Sequence, residues 1–395
     1  MKKIFIKNSK IKILLTFLIS SVLFLNLSQA KIIHIPGDYY TIQGAINATE
    51  DGDEIIVSEG TYYGRIGLRG KNIVLRSTDP TNPDVVANTI LDGMQEYDVI
   101  WFMGTENESC IVEGFTITNG KDAIYGGYPT HSCATIRYNT IIKNASPEDE
   151  YPDYAINSFD GIIEYNIISD NYGGAISDCN GVIQHNHISR NVRGGLIGCN
   201  GTIHNNVIVY NSFHQNAYTV IYKCNGTIIS NIIGYNSHIA LYLCSGLIQN
   251  NYIYVNETGI SNCTGTIQNN TIFRNFGSGG IIKCTGLIEN CIIWLNQGKQ
   301  ISESSVPSYC CIQDWDGSGV GNISDDPKFI INLKLGADSP CIDAGKFIEG
   351  LTTDFDGDRR GIRGVSEPRG DASYYDIGAD EFYRATDVLN WSIWE

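Results

Sequence analysis

The chain has few charged residues and few of the residues that favour helices. Of its 395 residues 18% are charged and three are Met, and 27 Lys and Arg are outnumbered by 43 Asp and Glu. An acidic surface repels nucleic-acid phosphates, so we expect no nucleic-acid partner. The chain is instead rich in Ile (59), Gly (42) and Asn (36). Ile and Asn are weak helix formers and Gly is a poor one, which argues against an all-helical fold. A hydrophobic content of 42% excludes a disordered chain.

The first thirty residues have the pattern of a secretory signal peptide. Residues 1–12 contain five lysines and no acid, residues 13–27 are almost wholly apolar, and Ser28-Gln29-Ala30 offers small residues for cleavage. The apolar run is shorter than the ~20 residues of a spanning helix, and no later segment is long and apolar enough to span a membrane. We therefore expect cleavage after Ala30 and a secreted or cell-surface protein with 22 basic and 43 acidic residues.

Residues 134–296 contain eight copies of the pattern Gly-x-Ile-x-x-Asn-x-Ile-x-x-Asn. The repeat glycines, with Ala134 in this place in the first unit, are Gly161, Gly181, Gly201, Gly226, Gly246, Gly265 and Gly286. Asn stands five residues after seven of these positions, with Cys291 in the eighth unit, and ten residues after all of them, from Asn144 to Asn296. The Ile two residues after each position is invariant, from Ile136 to Ile288.

A unit of about 20 residues with strand-length apolar runs cannot bury its own Ile, so the repeat predicts an all-β solenoid. Stacked coils would place equivalent residues ~4.8 Å apart, with Ile columns forming a continuous core. We expect the Asn columns at turns, with Asn in left-handed backbone and its amide bonded to the neighbouring coils. Leucine-rich repeats have similar lengths but need Leu, which is scarce here.

The repeat resembles that of the right-handed parallel β-helix proteins of the pectin-lyase-like superfamily, over roughly residues 32–312. Within it, Tyr40–Ala48 resembles the amphipathic helix that caps the first coil, and Asp51–Val57 with Gly60–Tyr62 resembles the first strand and turn that follow this helix. The resemblance implies a fold but no single function, because the superfamily holds lyases, hydrolases, esterases, epimerases and non-catalytic proteins.

The period disappears after Cys311. Asp326–Phe329, Asp338–Gly345, Thr353–Arg360 and Asp376–Glu381 together resemble the choice-of-anchor type of domain at the end of bacterial secreted β-helix proteins. Residues 391–395 do not resemble an anchor, so surface attachment is not implied. We predict a signal peptide at 1–30, a β-helix with its N-terminal cap at 31–312, and a choice-of-anchor-like region at 313–395.

The cysteines follow the repeat rather than a disulfide framework. Six of them lie two residues before a repeat glycine and share the strand parity of the following Ile: Cys179, Cys199, Cys224, Cys244, Cys263 and Cys284. We expect an inward column of free thiols, although stacked Cα atoms ~4.8 Å apart also lie within disulfide range. Zinc is disfavoured because no Cys-x-x-Cys occurs.

An acidic run in the last region invites a calcium interpretation. Its carboxylates are Asp354, Asp356 and Asp358. An EF-hand loop beginning at Asp354 would need Gly and Glu where Arg359 and Val365 stand, so that motif fails. Two readings remain open, a speculative calcium site at the three aspartates and an acidic turn paired with nearby arginines. Calcium is the one cofactor that we consider.

Two longer units mark a candidate active site, because catalytic groups on such a fold normally lie on an outer face bounded by loops. Both insertions, Ala145–Tyr154 and Ser212–Tyr218, follow the second Asn of a unit. Three coils separate them, so they would wall a groove of about 14 Å. The predicted catalytic residues of this groove are Asp153, Asp170, Arg190, Arg193 and His214. They would suit lyase or hydrolase chemistry, whereas the alternative is an ordinary solvated corner.

Apolar residues also occupy outward positions of several units. They include Val207, Val209, Tyr252, Tyr254, Phe273, Ile292 and Trp294. One interpretation is a platform for sugar rings, with Tyr172, Tyr252, Tyr254 and Trp294 as substrate-binding residues. The interpretation that we favour is a surface covered by the C-terminal region, since large exposed apolar patches are uncommon on monomers.

These observations predict a secreted or cell-surface protein that binds or processes polysaccharide, as a polysaccharide lyase or glycoside hydrolase if it is an enzyme. The alternative is a non-catalytic structural or adhesive extracellular β-helix protein. Clustered Asp, Glu and Arg in a groove would favour the enzyme. A groove without paired carboxylates would favour the non-catalytic structural or adhesive protein. The expected partner is an extracellular or cell-wall polysaccharide, bound by a monomer.

Overall fold

A computed structural model describes residues 30–146, 154–211, 219–367 and 369–383. The predicted signal peptide up to Gln29 lies outside these residues. The described chain forms three parallel sheets, which we call A, B and C, with 12, 12 and 11 strands.

Successive strands of the chain fall in sheets A, B and C in turn for most of the solenoid. The strands of sheet A are β1 Ile32–Ile35, β2 Glu54–Val57, β5 Val74–Ser77, β8 Ile111–Glu113, β11 Thr135–Arg137, β14 Ile162–Glu164, β17 Val182–Gln184, β20 Thr202–His204, β23 Thr227–Ile229, β26 Leu247–Gln249, β29 Thr266–Gln268 and β32 Ile288–Glu289. The strands of sheet B are β3 Gly60–Tyr63, β6 Thr89–Asp92, β9 Thr116–Thr118, β12 Thr140–Ile142, β15 Ile167–Ser169, β18 His187–Ser189, β21 Val207–Val209, β24 Ile232–Gly234, β27 Tyr252–Tyr254, β30 Thr271–Phe273, β33 Ile292–Trp294 and β35 Cys311–Ile312. The strands of sheet C are β4 Ile66–Gly67, β7 Ile100–Trp101, β10 Ile124–Tyr125, β13 Tyr154–Asn157, β16 Gly174–Ser177, β19 Leu196–Ile197, β22 Thr219–Tyr222, β25 Ile239–Tyr242, β28 Thr258–Ser261, β31 Gly279–Ile282 and β34 Lys299–Ser302.

Each repeat unit therefore forms one coil of a parallel β-helix. Ile163 of β14 pairs with Ile136 of the preceding coil and with Ile183 of the following coil, and the register is kept from coil to coil. These Ile side chains are at most 1% exposed and belong to one continuous hydrophobic core. The predicted all-β solenoid is confirmed, and its parallel crossovers are of the right-handed type that such connections adopt.

The Asn columns form two buried ladders. The carboxamide oxygen of Asn206 accepts hydrogen bonds from the backbone N–H and the Nδ2 of Asn186, at 3.0 Å each. Its Nδ2 donates to the carbonyl of Ile183 at 2.8 Å and to Oδ1 of Asn231 at 3.0 Å. The expected bonding between coils is therefore present.

The expected left-handed backbone lies one residue earlier than predicted. Asn205 has φ 55° and His185 has φ 53°, whereas the ladder residues Asn206 and Asn186 do not have positive φ. The residue before each ladder Asn bends the chain, and the bend turns the Asn side chain inward where its amide can bond the neighbouring coils.

Short helices accompany the first coils. Helix α1 spans Ile42–Ala48. Thr41 caps its N-terminus, because the Thr41 side chain accepts a hydrogen bond from the N–H of Gly44. The helix buries Ile42 and Ile46 in the solenoid core. Strand β1 precedes this helix and pairs with β2, and Glu54–Val57 is the first strand after the helix, as predicted. Gly60–Tyr62, predicted as a turn, belongs instead to strand β3. Helix α2, Pro83–Asn88, follows the side-chain cap of Asn82. Of the helices in the described residues, none is long and apolar enough to cross a membrane.

The six-cysteine column lies in the core. Its members are at most 1% exposed and carry free thiols. The backbone N–H of Cys199 donates to Sγ of Cys224, and that of Cys244 donates to Sγ of Cys263, each at 3.3 Å. The sulfurs thus act as acceptors between coils as well as small apolar groups.

The C-terminal residues pack on the outer side of sheet B. A second hydrophobic cluster joins Ile292 and Cys311 of the solenoid to Leu335, Ile342 and Ile377. This region contains little regular structure, with a 3₁₀ turn at Ile331–Leu333.

A buried arginine fixes the contact between the C-terminal residues and the solenoid. The Arg360 guanidinium pairs with Glu381 at 3.2 Å, and both side chains are fully buried. Its Nη2 donates to Oδ1 of Asn250, at the edge of sheet B, at 3.0 Å.

Candidate functional site

A groove of about 600 Å³ runs along the outer face of sheet C. Its lining extends from Tyr154 on β13 to Ser261 on β28. These strands are five positions apart in the sheet, so the groove crosses coils over about 24 Å. It begins where the first insertion ends and includes Thr219, where the second insertion ends.

Glycines create the depression. Gly194 and Gly195 line the groove before β19 and leave its floor without side chains. On β16, a Cβ added at Gly174 would lie 2.2 Å from Cε1 of Tyr154, so the absence of a side chain there lets the Tyr154 ring lie against the sheet. Burial raises the pKa of Tyr154 to about 12, and this phenol is therefore neutral at physiological pH.

Two tyrosines on adjacent coils form the aromatic part of the groove. Tyr222 of β22 and Tyr242 of β25 lie opposite each other in register, with ring centroids 5.9 Å apart and planes 13° from parallel. The Lys223 ammonium lies 4.9 Å from the centroid of the Tyr222 ring. A concave surface with aromatic rings and a few polar groups is typical of small-molecule and sugar sites.

Arg193 is the one charged side chain among the described residues that line the groove. The other polar side chains there are those of Tyr154, Thr219, Ser261 and Asn262 besides the two stacked tyrosines. The described part of the groove therefore offers one cation and several hydroxyls. It does not offer the two carboxylates that glycoside hydrolysis needs.

The predicted catalytic residues are only partly brought together. Arg193 lines the groove, whereas Asp170 and Arg190 lie at the turns that follow β15 and β18 and bind each other. Nε and Nη2 of Arg190 donate to the two carboxylate oxygens of Asp170 at 2.7 and 2.8 Å. This bidentate pair lowers the pKa of Asp170, which makes the carboxylate a weak base. Asp153 and His214 lie outside the described residues.

The predicted sugar platform is largely covered. Tyr252 is 5% exposed and its ring lies 4.7 Å from that of Phe355 in the C-terminal region. Trp294 packs against the second hydrophobic cluster. The Tyr252 ring is therefore not available for a ligand in this arrangement, which corrects its assignment to the platform, and the Trp294 ring is only partly exposed. Both contacts agree with the covering interpretation.

The remaining two platform residues lie elsewhere. Tyr254 is half-buried and meets Tyr235 edge to face at 5.4 Å, and Tyr172 is 40% exposed. Neither residue lines the groove on sheet C.

The predicted calcium residues are rearranged. Asp354 and Asp356 approach Asp380, with one oxygen of each within 4.8 Å of the others, and Asp358 is not part of this group. The Lys334 ammonium contacts Asp356 and lies 2.6 Å from Asp380. Burial raises the pKa of Asp380 to about 7, although Lys334 opposes this shift.

Histidines on sheets A and B do not belong to the groove on sheet C. His187 on β18 is exposed and His204 on β20 is half-buried, and partial desolvation lowers the pKa of each imidazole. Arg190 adds to the shift at His187, and His185 adds to the shift at His204.

Sequence reasoning missed Tyr222, Tyr242, Lys334 and Asp380. A signal for the two tyrosines was present, because each stands two residues before a column cysteine, Cys224 or Cys244. That spacing assigns them to equivalent positions of adjacent coils, and the bend at Lys223 and Leu243, which have positive φ, separates them from the inward cysteines.

Comparison with known proteins gives a limited result. No protein-family model matches the chain, and no curated protein matches its sequence. A solved structure described as pectate lyase Pel9A is 13% identical, with a TM-score of 0.47 over 90% of this chain and 97% of that chain. A complex of XylC with xylose is also 13% identical, with a TM-score of 0.43 over 70% of each chain. At these scores neither likeness adds to the fold, which rests on the pairing of the strands.

Proposed function

We propose that this protein is an exported β-helix that binds polysaccharide along the groove on sheet C. The observation that carries the proposal is the pair of stacked rings, Tyr222 and Tyr242, in a groove that also presents Arg193. Because the groove crosses several coils, it suits an extended chain better than a compact ligand. Arg193 would donate to hydroxyls of a neutral glycan or to a carboxylate of an acidic one.

The described residues favour binding over catalysis. The groove lacks paired carboxylates within the described lining, and Asp170 is held by Arg190. We therefore assign the protein to the non-catalytic adhesive class, with polysaccharide as its ligand. A lyase or hydrolase would need further groups from the two insertions, such as Asp153 and His214.

The proposal includes the location and the domain organisation. The signal-peptide pattern before Lys31 supports export. The burial of α1 between the first strands supports a capping role for this helix. The little regular structure after residue 312 supports a separate C-terminal region, and its choice-of-anchor type rests on the sequence resemblance. We propose that the protein acts as a monomer.

Binding of defined glycans tests the function. The protein beginning at Lys31 is titrated with pectate, alginate and neutral glycan oligomers, with and without calcium, and the same mixtures are assayed for new reducing or unsaturated ends. We expect saturable binding of at least one glycan without new ends. New ends would instead establish an enzyme, and no binding to any glycan would refute the proposal.

Two variants locate the binding site. Tyr222→Ala with Tyr242→Ala removes the groove rings and is expected to weaken binding at least tenfold. Tyr235→Ala is the matched control, because Tyr235 stacks on Tyr210 at 5.3 Å in the same manner but outside the groove. Equal affinities of all these proteins would place the binding site elsewhere.

A further inference from the structure

The C-terminal region contains a compact group of carboxylates. One oxygen each of Asp354, Asp356 and Asp380 lies within 4.8 Å of the other two. Asp354 and Asp380 are buried, at 2% and 4% exposure. The Lys334 ammonium contacts Asp356 and Asp380, and the Arg360 guanidinium acts electrostatically on Asp354.

Backbone amides hold Asp354 in a fixed orientation. One of its oxygens accepts from the N–H groups of Asp356 and Asp358, and the other accepts from the N–H of Glu381, at 2.9 Å in each case. The bend at residues 354–358 thus brings the side chain of Asp356 to the same point as that of Asp354. A carboxylate fixed in this way does not have to be ordered when a ligand binds.

An unpartnered hydroxyl lies near these carboxylates, because the Tyr252 ring is 4.7 Å from the ring of Phe355, which stands between Asp354 and Asp356. Tyr252 on β27 is 5% exposed, and its buried hydroxyl has no hydrogen-bond partner. It lies within electrostatic range of Asp380, Asp356 and Asp354. Burying a hydroxyl without a partner is unfavourable, so its position beside the carboxylates points to a site that takes a ligand.

The chemistry of the donors favours calcium. The three carboxyl groups offer hard oxygen ligands close enough together to contact one ion. Ca²⁺ takes six to eight oxygen ligands in flexible geometry, whereas Mg²⁺ demands a near-ideal octahedron and keeps several of its waters. An irregular set of carboxylates fixed by the backbone therefore suits Ca²⁺ better.

We propose that Asp354, Asp356 and Asp380 form a calcium site. When no calcium is bound, the ammonium of Lys334 occupies the position of the ion. Binding displaces the Lys334 side chain toward solvent, where its partly exposed stem already lies. The Tyr252 hydroxyl contacts the ion or one of its waters. Because Tyr252 belongs to the solenoid and the aspartates to the C-terminal region, calcium strengthens the contact between the two.

Thermal unfolding and terbium luminescence test the site in the full mature chain. Tb³⁺ is used as a calcium analogue, because a tyrosine next to the ion sensitises its emission. We expect CaCl₂ to raise the unfolding temperature more than MgCl₂ does, and Tb³⁺ emission to appear and then fall when Ca²⁺ is added. Tyr252→Phe should reduce the emission without removing the carboxylates.

Variants of the ligands and of the lysine separate a calcium site from a plain salt bridge. Asp380→Asn should weaken calcium binding at least tenfold, whereas Asp338→Asn, which removes an exposed carboxylate paired with Lys328 at 2.9 Å, should leave it unchanged. Lys334→Met should be less stable than wild type without calcium, bind calcium at least tenfold more tightly, and regain its stability when calcium is added.

The lysine variant decides the case even if Asp380→Asn fails to fold. If neither the wild type nor Lys334→Met responds to calcium, the cluster is a salt bridge and the proposal is overturned. An equal response of the Asp338→Asn and Asp380→Asn proteins would also overturn it, because the ion would then bind elsewhere.

Discussion

The Asn ladder should contribute more to stability than any other polar feature of a single coil. The test is Asn206→Ala, in the middle of the ladder that extends from Asn139 to Asn270, where the side chain is 1% exposed. Its carboxamide takes part in five hydrogen-bond contacts: the oxygen accepts two from Asn186, and the two hydrogens of Nδ2 are shared among Ile183, His204 and Asn231. The substitution removes all five while leaving the backbone unchanged.

The expected loss can be worked out from these contacts. A typical hydrogen bond contributes about 0.5–1.5 kcal/mol net, and a buried donor left without a partner costs about 1–3 kcal/mol. Most of the groups that lose a bond keep another, because Asn186 Nδ2 still donates to Ile163 and Asn231 Oδ1 still accepts from the N–H of residue 206. The backbone N–H of Asn186 loses its acceptor, which leaves one orphaned donor. We expect a loss of about 3–5 kcal/mol.

The assay is urea unfolding followed by circular dichroism. Asn200→Ala is the control, because Asn200 also bonds neighbouring coils, with its Nδ2 donating to Asn180 at 3.1 Å, but is exposed to solvent. Water replaces these bonds, so we expect a loss below about 1 kcal/mol. Similar losses for the two variants would refute the reasoning, since burial of the ladder would then make no difference.

Three further predictions concern the packing of the coils. Gly226→Ala should destabilise strongly, because a Cβ there would lie 1.9 Å from the carbonyl oxygen of Gly201, whereas Gly37→Ala, whose nearest neighbour would be 3.6 Å away, should be nearly neutral in the same urea assay. A thiol reagent should label Cys133 rapidly in the native protein, since the other eleven cysteines are buried. In denaturant the reagent should label all 12 cysteines, and fewer than 12 labelled cysteines would reveal disulfides. Because burial lowers the folded-state pKa of His204 below its ordinary value of 6.5, stability should be complete above pH 6.5 and decline as the pH falls through that lower pKa. Histidine NMR titration with urea unfolding at several pH values checks this, and a His204 pKa at or above 6.5 would contradict it.

The sequence pattern predicts the solenoid well because the repeat is local and its physics is simple. Each Ile must be buried and no coil can bury its own, so stacking is the one arrangement that satisfies all eight units. The buried Ile163 and the ladder residue Asn206 lie where the pattern places them. The position of the left-handed residue was wrong by one, because the pattern identifies the turn but not which of its residues bends.

The candidate site is less predictable because its geometry depends on contacts between distant parts of the chain. Asp170 and Arg190 do share an outer corner, but only the structure shows that they bind each other and do not face the groove. The contact between Tyr252 and Phe355 joins residues about 100 positions apart, and no period relates the C-terminal region to the coils. The partner of Asp354 and Asp356 is Asp380 rather than the adjacent Asp358 for the same reason.

Oligosaccharide titration calorimetry with the groove variants is the most direct test of the proposed binding site. The glycan that binds most tightly in the screen is titrated into the wild type, the Tyr222→Ala and Tyr242→Ala double variant, and Tyr235→Ala. We predict that the double variant binds at least tenfold more weakly and that Tyr235→Ala binds like the wild type. Unchanged affinity of the double variant would contradict binding along the groove on sheet C.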